Sequence, residues 1–241
     1  MMGKHCGGSQ TEIIENFKIS LLNMNDILND LQVAINAIEE FYYAMPSVNV
    51  VDNKLHIDLV EQKHYERRFA AQLKSEYDQL IRYGVTGDYK EVRTDLEVIK
   101  RYIYSSNPDP SITASFEKLY RQDSNKAFDT ITTIPDFFIH KQQDNFEEAF
   151  QKLIVEIKTA PNIEENEMFS DLFKLNVYVE KYNFQNGVFL ITNNASERVK
   201  ILAKKYLQQR LYLAPSKRER IFLFIKPSFE SQIEIVKLTE L

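Results

Sequence analysis

The sequence predicts an α/β domain, a mixed central sheet flanked by helices, with a helical extension at the N-terminus. Three observations predict it. From Ala127 onward the apolar pattern runs β, β, α, β, α, β, β, and alternating helices and strands imply a sheet covered by helices. Residues 61–83 carry an apolar stripe at helical spacing. Leu153, Ile154 and Val155 are apolar on consecutive residues, which suits a strand covered on both faces.

The elements follow in order. Residues 1–10 read as a disordered or vector-derived tail, 11–60 as the extension, and 61–241 as the α/β domain with an insert at 88–127. Within the extension, Ile13, Ile14, Phe17, Leu21, Leu22, Ile27, Leu31, Ile35 and Ile38 mark one or two helices closed by Met45-Pro46. Val48–Val60 alternates around Asp52-Asn53, the signature of a hairpin. The helix at 61–83 places Phe69, Ala70, Leu73, Tyr77 and Leu80 on one face, and it runs out at Gly84. Tyr89–Ser105 looks helical, Asn107-Pro108-Asp109-Pro110 breaks the chain, and Thr113–Tyr120 resumes a helix; no strand is expected between 88 and 127. Beyond Ala127, strands are expected at 129–140 (broken near Pro135), 152–159, 188–192, 220–225 and 232–238, with helices at 167–182 and 196–211.

Composition removes several functions. The chain has 241 residues, 44% hydrophobic and 27% charged, which suits one substantial domain. A net charge of −5 offers no global attraction for a polyanion, so only local patches can provide one. Cys6 is the single cysteine and the four histidines are scattered, which leaves no intramolecular disulfide and no Cys/His metal site. No apolar run reaches the ~18 residues of a membrane helix. A reducing, cytoplasmic location without membrane contact is the expectation. Only six glycines occur, three of them in the first eight residues, so neither a P-loop nor a dinucleotide-binding turn can form.

Charge appears where buried strands should carry none. Period-two alternation puts Leu153, Val155 and Ile157 on one face of their strand, and Ile154, Glu156 and Lys158 on the other. Asp136 lies at the break in the preceding strand, and Glu66 points into the apolar face of its helix. A buried carboxylate costs several kcal/mol unless a cation compensates it. Carboxylates and an ammonium on neighbouring strands suit a divalent cation beside a reactive water. The plainer alternatives are a turn aspartate after proline, an edge strand with a solvated face, and a helix-terminal glutamate reaching water. His140 reads as a strand-end surface residue.

Pro135-Asp136, a spacer, and Glu156-Ile157-Lys158 resemble the signature of the PD-(D/E)XK nuclease superfamily over roughly residues 61–193. The resemblance implies a restriction-endonuclease-like core and a metal-dependent hydrolysis of phosphodiester bonds, with DNA favoured over RNA. It implies Mg²⁺, for which Mn²⁺ can substitute, held by Asp136, Glu156 and the Ile157 carbonyl, with Glu66 completing the shell. Lys158 would orient the attacking water and help deprotonate it. Lys174, on the helix that follows, would lie near the scissile phosphate, or else cover the core edge with its stem.

Glu197–Arg220 holds Arg198, Lys200, Lys204, Lys205, Arg210, Lys217, Arg218 and Arg220 against two glutamates. Val199, Leu202, Ala203 and Tyr206 form the buried side of the helix, so the basic residues are expected to be exposed together as a nucleic-acid track. A solvated helix face is the alternative. The same residues also fit a catalytically silent protein of this fold that binds nucleic acid or another protein. The pattern at 11–43 suits a homodimer interface and intramolecular packing equally.

Overall fold

The computed structural model of the chain describes residues 26–43, 45–60, 66–84, 91–96, 100–103, 109–120, 130–133, 135–141 and 147–241. Five helices are described: α1 (Asp26–Ala37), α2 (Glu66–Arg82), α3 (Pro110–Tyr120), α4 (Glu165–Lys181) and α5 (Ser196–Gln208). The strands are β1 (Met45–Val51), β2 (Lys54–Val60), β3 (Arg93–Leu96), β4 (Lys100–Ile103), β5 (Thr130–Thr133), β6 (Phe137–His140), β7 (Gln151–Lys158), β8 (Asn186–Thr192), β9 (Ile221–Lys226) and β10 (Glu234–Lys237). The expected helices at 11–25 and the start of the helix at 61–65 lie outside the described residues.

A six-stranded sheet in the order β10-β9-β8-β7-β6-β3 organises the molecule. Strands β7, β8 and β9 are parallel, whereas β10, β6 and β3 join antiparallel. Parallel neighbours need crossovers, and α4 and α5 supply them on one face. On that face Ile154, Phe189 and Leu223 pack with Leu172, Phe173 and Val199, and with Ile112 of α3. On the other face Val155, Ile157, Val188 and Leu190 pack with Phe69 and Leu73 of α2 and with Leu31 and Ile35 of α1. Helix α1, from the N-terminal segment, therefore shares the core of the main sheet. The period-two division of β7 falls as expected: Leu153, Val155 and Ile157 face α2, and Ile154 faces α4.

Local chemistry sets the boundaries. Strands β1 and β2 form a separate hairpin whose turn residues, Asp52 and Asn53, have φ of 52° and 60°. Two successive left-handed residues make the tight turn whose twist matches a hairpin, and Asp and Asn adopt that conformation more readily than most. Pro110 occupies the first turn of α3, where a missing N–H is harmless, and Asp109 accepts the Ser111 N–H at 3.0 Å. Gly84, at φ +65°, follows the end of α2.

Among the described residues of 89–105, strands β3 and β4 stand in place of the expected helix. Val92 and Leu96, four apart, imitate a helix face, but both pack beneath the sheet edge. β3 gains its ladder from β6, a partner more than forty residues away that local spacing does not reveal. The segment 88–127 is thus not wholly an insert, because β3 belongs to the main sheet. His140 is also corrected: it is 2% exposed, and its Nε2 lies 2.7 Å from Asp95 Oδ2 on β3.

Candidate active site

Three elements deliver charged side chains to one place at the C-terminal end of β7. Alternation along β7 turns Glu156 and Lys158 toward α4. On α4, Asp171 and Lys174 lie three apart, so they share a face. Helix α2 contributes Glu66 from its first turn. Asp136 stands just before β6, where proline has broken the strand and no ladder partner follows. Its Oδ2 accepts the Ile157 N–H at 2.7 Å and so replaces the missing ladder bond.

The contacts form a continuous chain from Glu156 through Lys174, Asp171 and Lys158 to Glu66. Lys174 Nζ donates to Glu156 Oε2 at 2.9 Å and lies 2.5 Å from Asp171 Oδ1. Lys158 Nζ donates to Glu66 Oε2 at 3.0 Å and lies 3.4 Å from Asp171 Oδ2. Asp171 therefore bridges the two ammoniums. Glu156 is 1% exposed, and its Oε1 is buried with no hydrogen-bond partner among the described residues. Four carboxylates (Glu66, Asp136, Glu156, Asp171) face two ammoniums, which leaves two formal negative charges unbalanced.

Burial dominates the proton affinities. It pushes the Glu156 carboxyl well above the usual range; Lys174 opposes this, while Asp171 and Asp136 add to it. Burial likewise raises Asp136 against the pull of the Ile157 N–H, and raises Glu66 against Lys158. For the lysines burial favours the neutral amine, yet the surrounding acids prevail and hold both as ammoniums: Asp171 and Glu66 around Lys158, Glu156 and Asp171 around Lys174.

The residues singled out in the sequence thus divide. Glu66, Asp136, Glu156, Lys158 and Lys174 come together. Ile157 joins them through its N–H. Asp171 was not anticipated, although an aspartate beside Leu172, three residues from both Met168 and Lys174, sits in the apolar arc of its helix and carried the signal. Tyr120, at the end of α3, borders the group; burial raises its phenol.

The basic segment does not form one exposed track. Arg198 donates to the Ile163 carbonyl at 2.9 Å and Lys205 pairs with Glu165 at 2.9 Å, both on the segment leaving β7 on the candidate-site side. Lys200 is held by Glu197 and Glu234, and Lys204 is exposed. Lys217 is buried against Glu148 and Asn183, Arg220 pairs with Glu148, and Arg218 lies 3.8 Å from Glu219. Glu148 precedes β7 and Arg220 precedes β9, so these three lie at the other end of the parallel strands. That is about 23 Å away along the eight residues of β7. Counting charge along the segment missed acids supplied from distant parts of the chain.

Comparison with family models, curated proteins and solved structures gave no match. Among the described residues, no group of three Asp, Glu, His or Cys side chains is arranged to hold a metal ion. No described helix is long and apolar enough to cross a membrane.

Proposed function

We propose that this chain is a metal-dependent nuclease of the PD-(D/E)XK type that hydrolyses phosphodiester bonds in nucleic acid, DNA in the first instance. One observation carries the proposal: six charged side chains from four segments meet at a buried strand end, and Glu156 Oε1 is left without a partner. A fold rarely retains so costly a group without a use for it. The order α2, β3, β6, β7, α4, β8, with antiparallel strands before the Glu-x-Lys strand and a parallel one after it, supports the same resemblance.

The donor set suits magnesium. That ion is commonly held by one or two carboxylates plus waters and substrate phosphates rather than by an all-protein cage. Asp136 and Glu156 would provide the two carboxylates. When bound, magnesium supplies polarisation of the phosphoryl oxygen and stabilisation of the leaving oxygen. Lys158 would orient the attacking water, help deprotonate it and offset charge developing on the phosphate. Lys174 reaches the same space from α4.

The test is incubation of the full chain with plasmid and with single-stranded DNA, in Mg²⁺, Mn²⁺ or EDTA. Metal-dependent cleavage that falls at least about a hundredfold in Glu156→Ala and in Asp136→Asn is the expected result. The asparagine retains an oxygen for the Ile157 N–H, so its loss of activity would not reflect a broken strand. The second reading, a silent member of the fold, is favoured by the lysine–carboxylate chain that engages Glu156, Asp171 and Glu66. Salt-sensitive DNA binding without cleavage in any metal would establish it.

A further inference from the structure

We infer that Lys174 is a built-in counter-ion for the cation site, so that metal binding and phosphate binding are coupled through its movement. The inference rests on the nuclease reading and goes beyond it. Glu156 is almost fully buried and cannot remain charged alone. The Lys174 ammonium supplies its partner at 2.9 Å and is shared with Asp171 at 2.5 Å. Those are contacts a cation held by Glu156 would have to replace. This accounts for a site with carboxylates in abundance and yet no three of them arranged around one point.

A divalent ion entering alone would displace the ammonium and leave it in the same half-buried space, facing a charge of the same sign. A phosphodiester changes that balance. Its anionic oxygens accept the Lys174 ammonium, which moves from Glu156 to the substrate and frees Oε2 beside the unpartnered Oε1. Lys158 stays paired with Glu66 and Asp171 throughout. Linkage then requires the anion and the cation each to tighten the other by the same factor, on the order of 5- to 150-fold for couplings of ordinary size.

The test measures Mn²⁺ affinity of the full chain from the electron paramagnetic resonance signal of free Mn²⁺. The protein is taken alone, with a phosphorothioate oligonucleotide, and with an uncharged methylphosphonate oligonucleotide of the same sequence. Mn²⁺ bound by the oligonucleotide itself is removed by parallel titration with Glu156→Gln. The expected result is Mn²⁺ binding at least about tenfold tighter with the anionic oligonucleotide and unchanged with the neutral one. Lys174→Met should bind Mn²⁺ tightly without any oligonucleotide, and Lys174→Arg, which keeps the charge, should stay weak. If Lys174→Met does not fold, the wild-type comparison between the two oligonucleotides still decides the matter. Equal Mn²⁺ affinity in all three wild-type titrations would overturn the inference and leave the nuclease reading standing. Absence of Mn²⁺ binding in every folded form would overturn both.

Discussion

Glu156 stands at the centre of an energetic conflict that a single isosteric change can expose. Its carboxyl is pushed up by burial, so in the folded protein without metal the ionised form is disfavoured relative to the unfolded chain. The sign follows directly. An acid whose folded pKa is raised contributes stability that is fully present below its unfolded value and is lost as pH rises through the folded one. Glu156→Gln keeps an oxygen for the Lys174 ammonium and removes the cost of ionisation. In EDTA at pH 8 the variant should melt above the wild type, by about 2–4 °C for each kcal/mol relieved, and the gap should close below pH 4. Parallel melting curves across that range check this. A variant that melts lower at pH 8 would mean the charged pair is a net stabiliser and that Lys174 contributes more than burial removes.

The elements differ in how plainly the sequence announced them. Strand β7 was legible because period-two alternation and apolar flanks act on eight consecutive residues, and α2 because Phe69, Ala70, Leu73 and Tyr77 repeat at helical spacing. Glu156 and Lys158 stand out as charges inside the first pattern, Glu66 inside the second, and Asp136 at the proline before β6. β3 was illegible, since four residues with two charges form a strand only through pairing with β6. Asp171 was missed because its role depends on lysines from two different elements, a relation that no local window contains. The fit of α4 on the sheet has its own local marker, Gly187 on β8. A Cβ added there would lie 2.9 Å from Val179 Cγ2. Gly187→Ala should push α4 outward at a cost of about 1–3 kcal/mol, and it should weaken the Lys174–Glu156 contact that depends on the spacing of helix and strand. Denaturant melts check the first effect, and loss of the Mn²⁺ coupling checks the second. A neutral substitution would show that Val179 yields by changing rotamer and that the helix position is not set by the glycine.

On the scale of the whole molecule, the basic residues of 197–220 divide between the two ends of the parallel strands. At the C-terminal ends of β7 and β8 lie Lys158 and the start of α5, with Arg198 and Lys205 attached to the segment leaving β7. At the opposite end Lys217 and Arg220 converge on Glu148, and Arg218 points outward near Glu219. A phosphate backbone drawn to the candidate site would therefore run along α5 and miss the turn at 218–220. Each cation that meets a phosphate releases counter-ions, so its removal lowers the slope of log affinity against log salt by about 1. Arg198→Ala and Lys205→Ala should each weaken oligonucleotide binding and reduce that slope, whereas Arg218→Ala should change neither, even though it removes an exposed charge. Anisotropy titrations of a labelled oligonucleotide between 50 and about 200 mM salt measure the slopes. If Arg218→Ala flattens the slope and Lys205→Ala does not, the nucleic acid lies along the far end of the strands. A backbone bound there could not also present its phosphate to Glu156 about 20 Å away, and the charged group at the end of β7 would need another substrate.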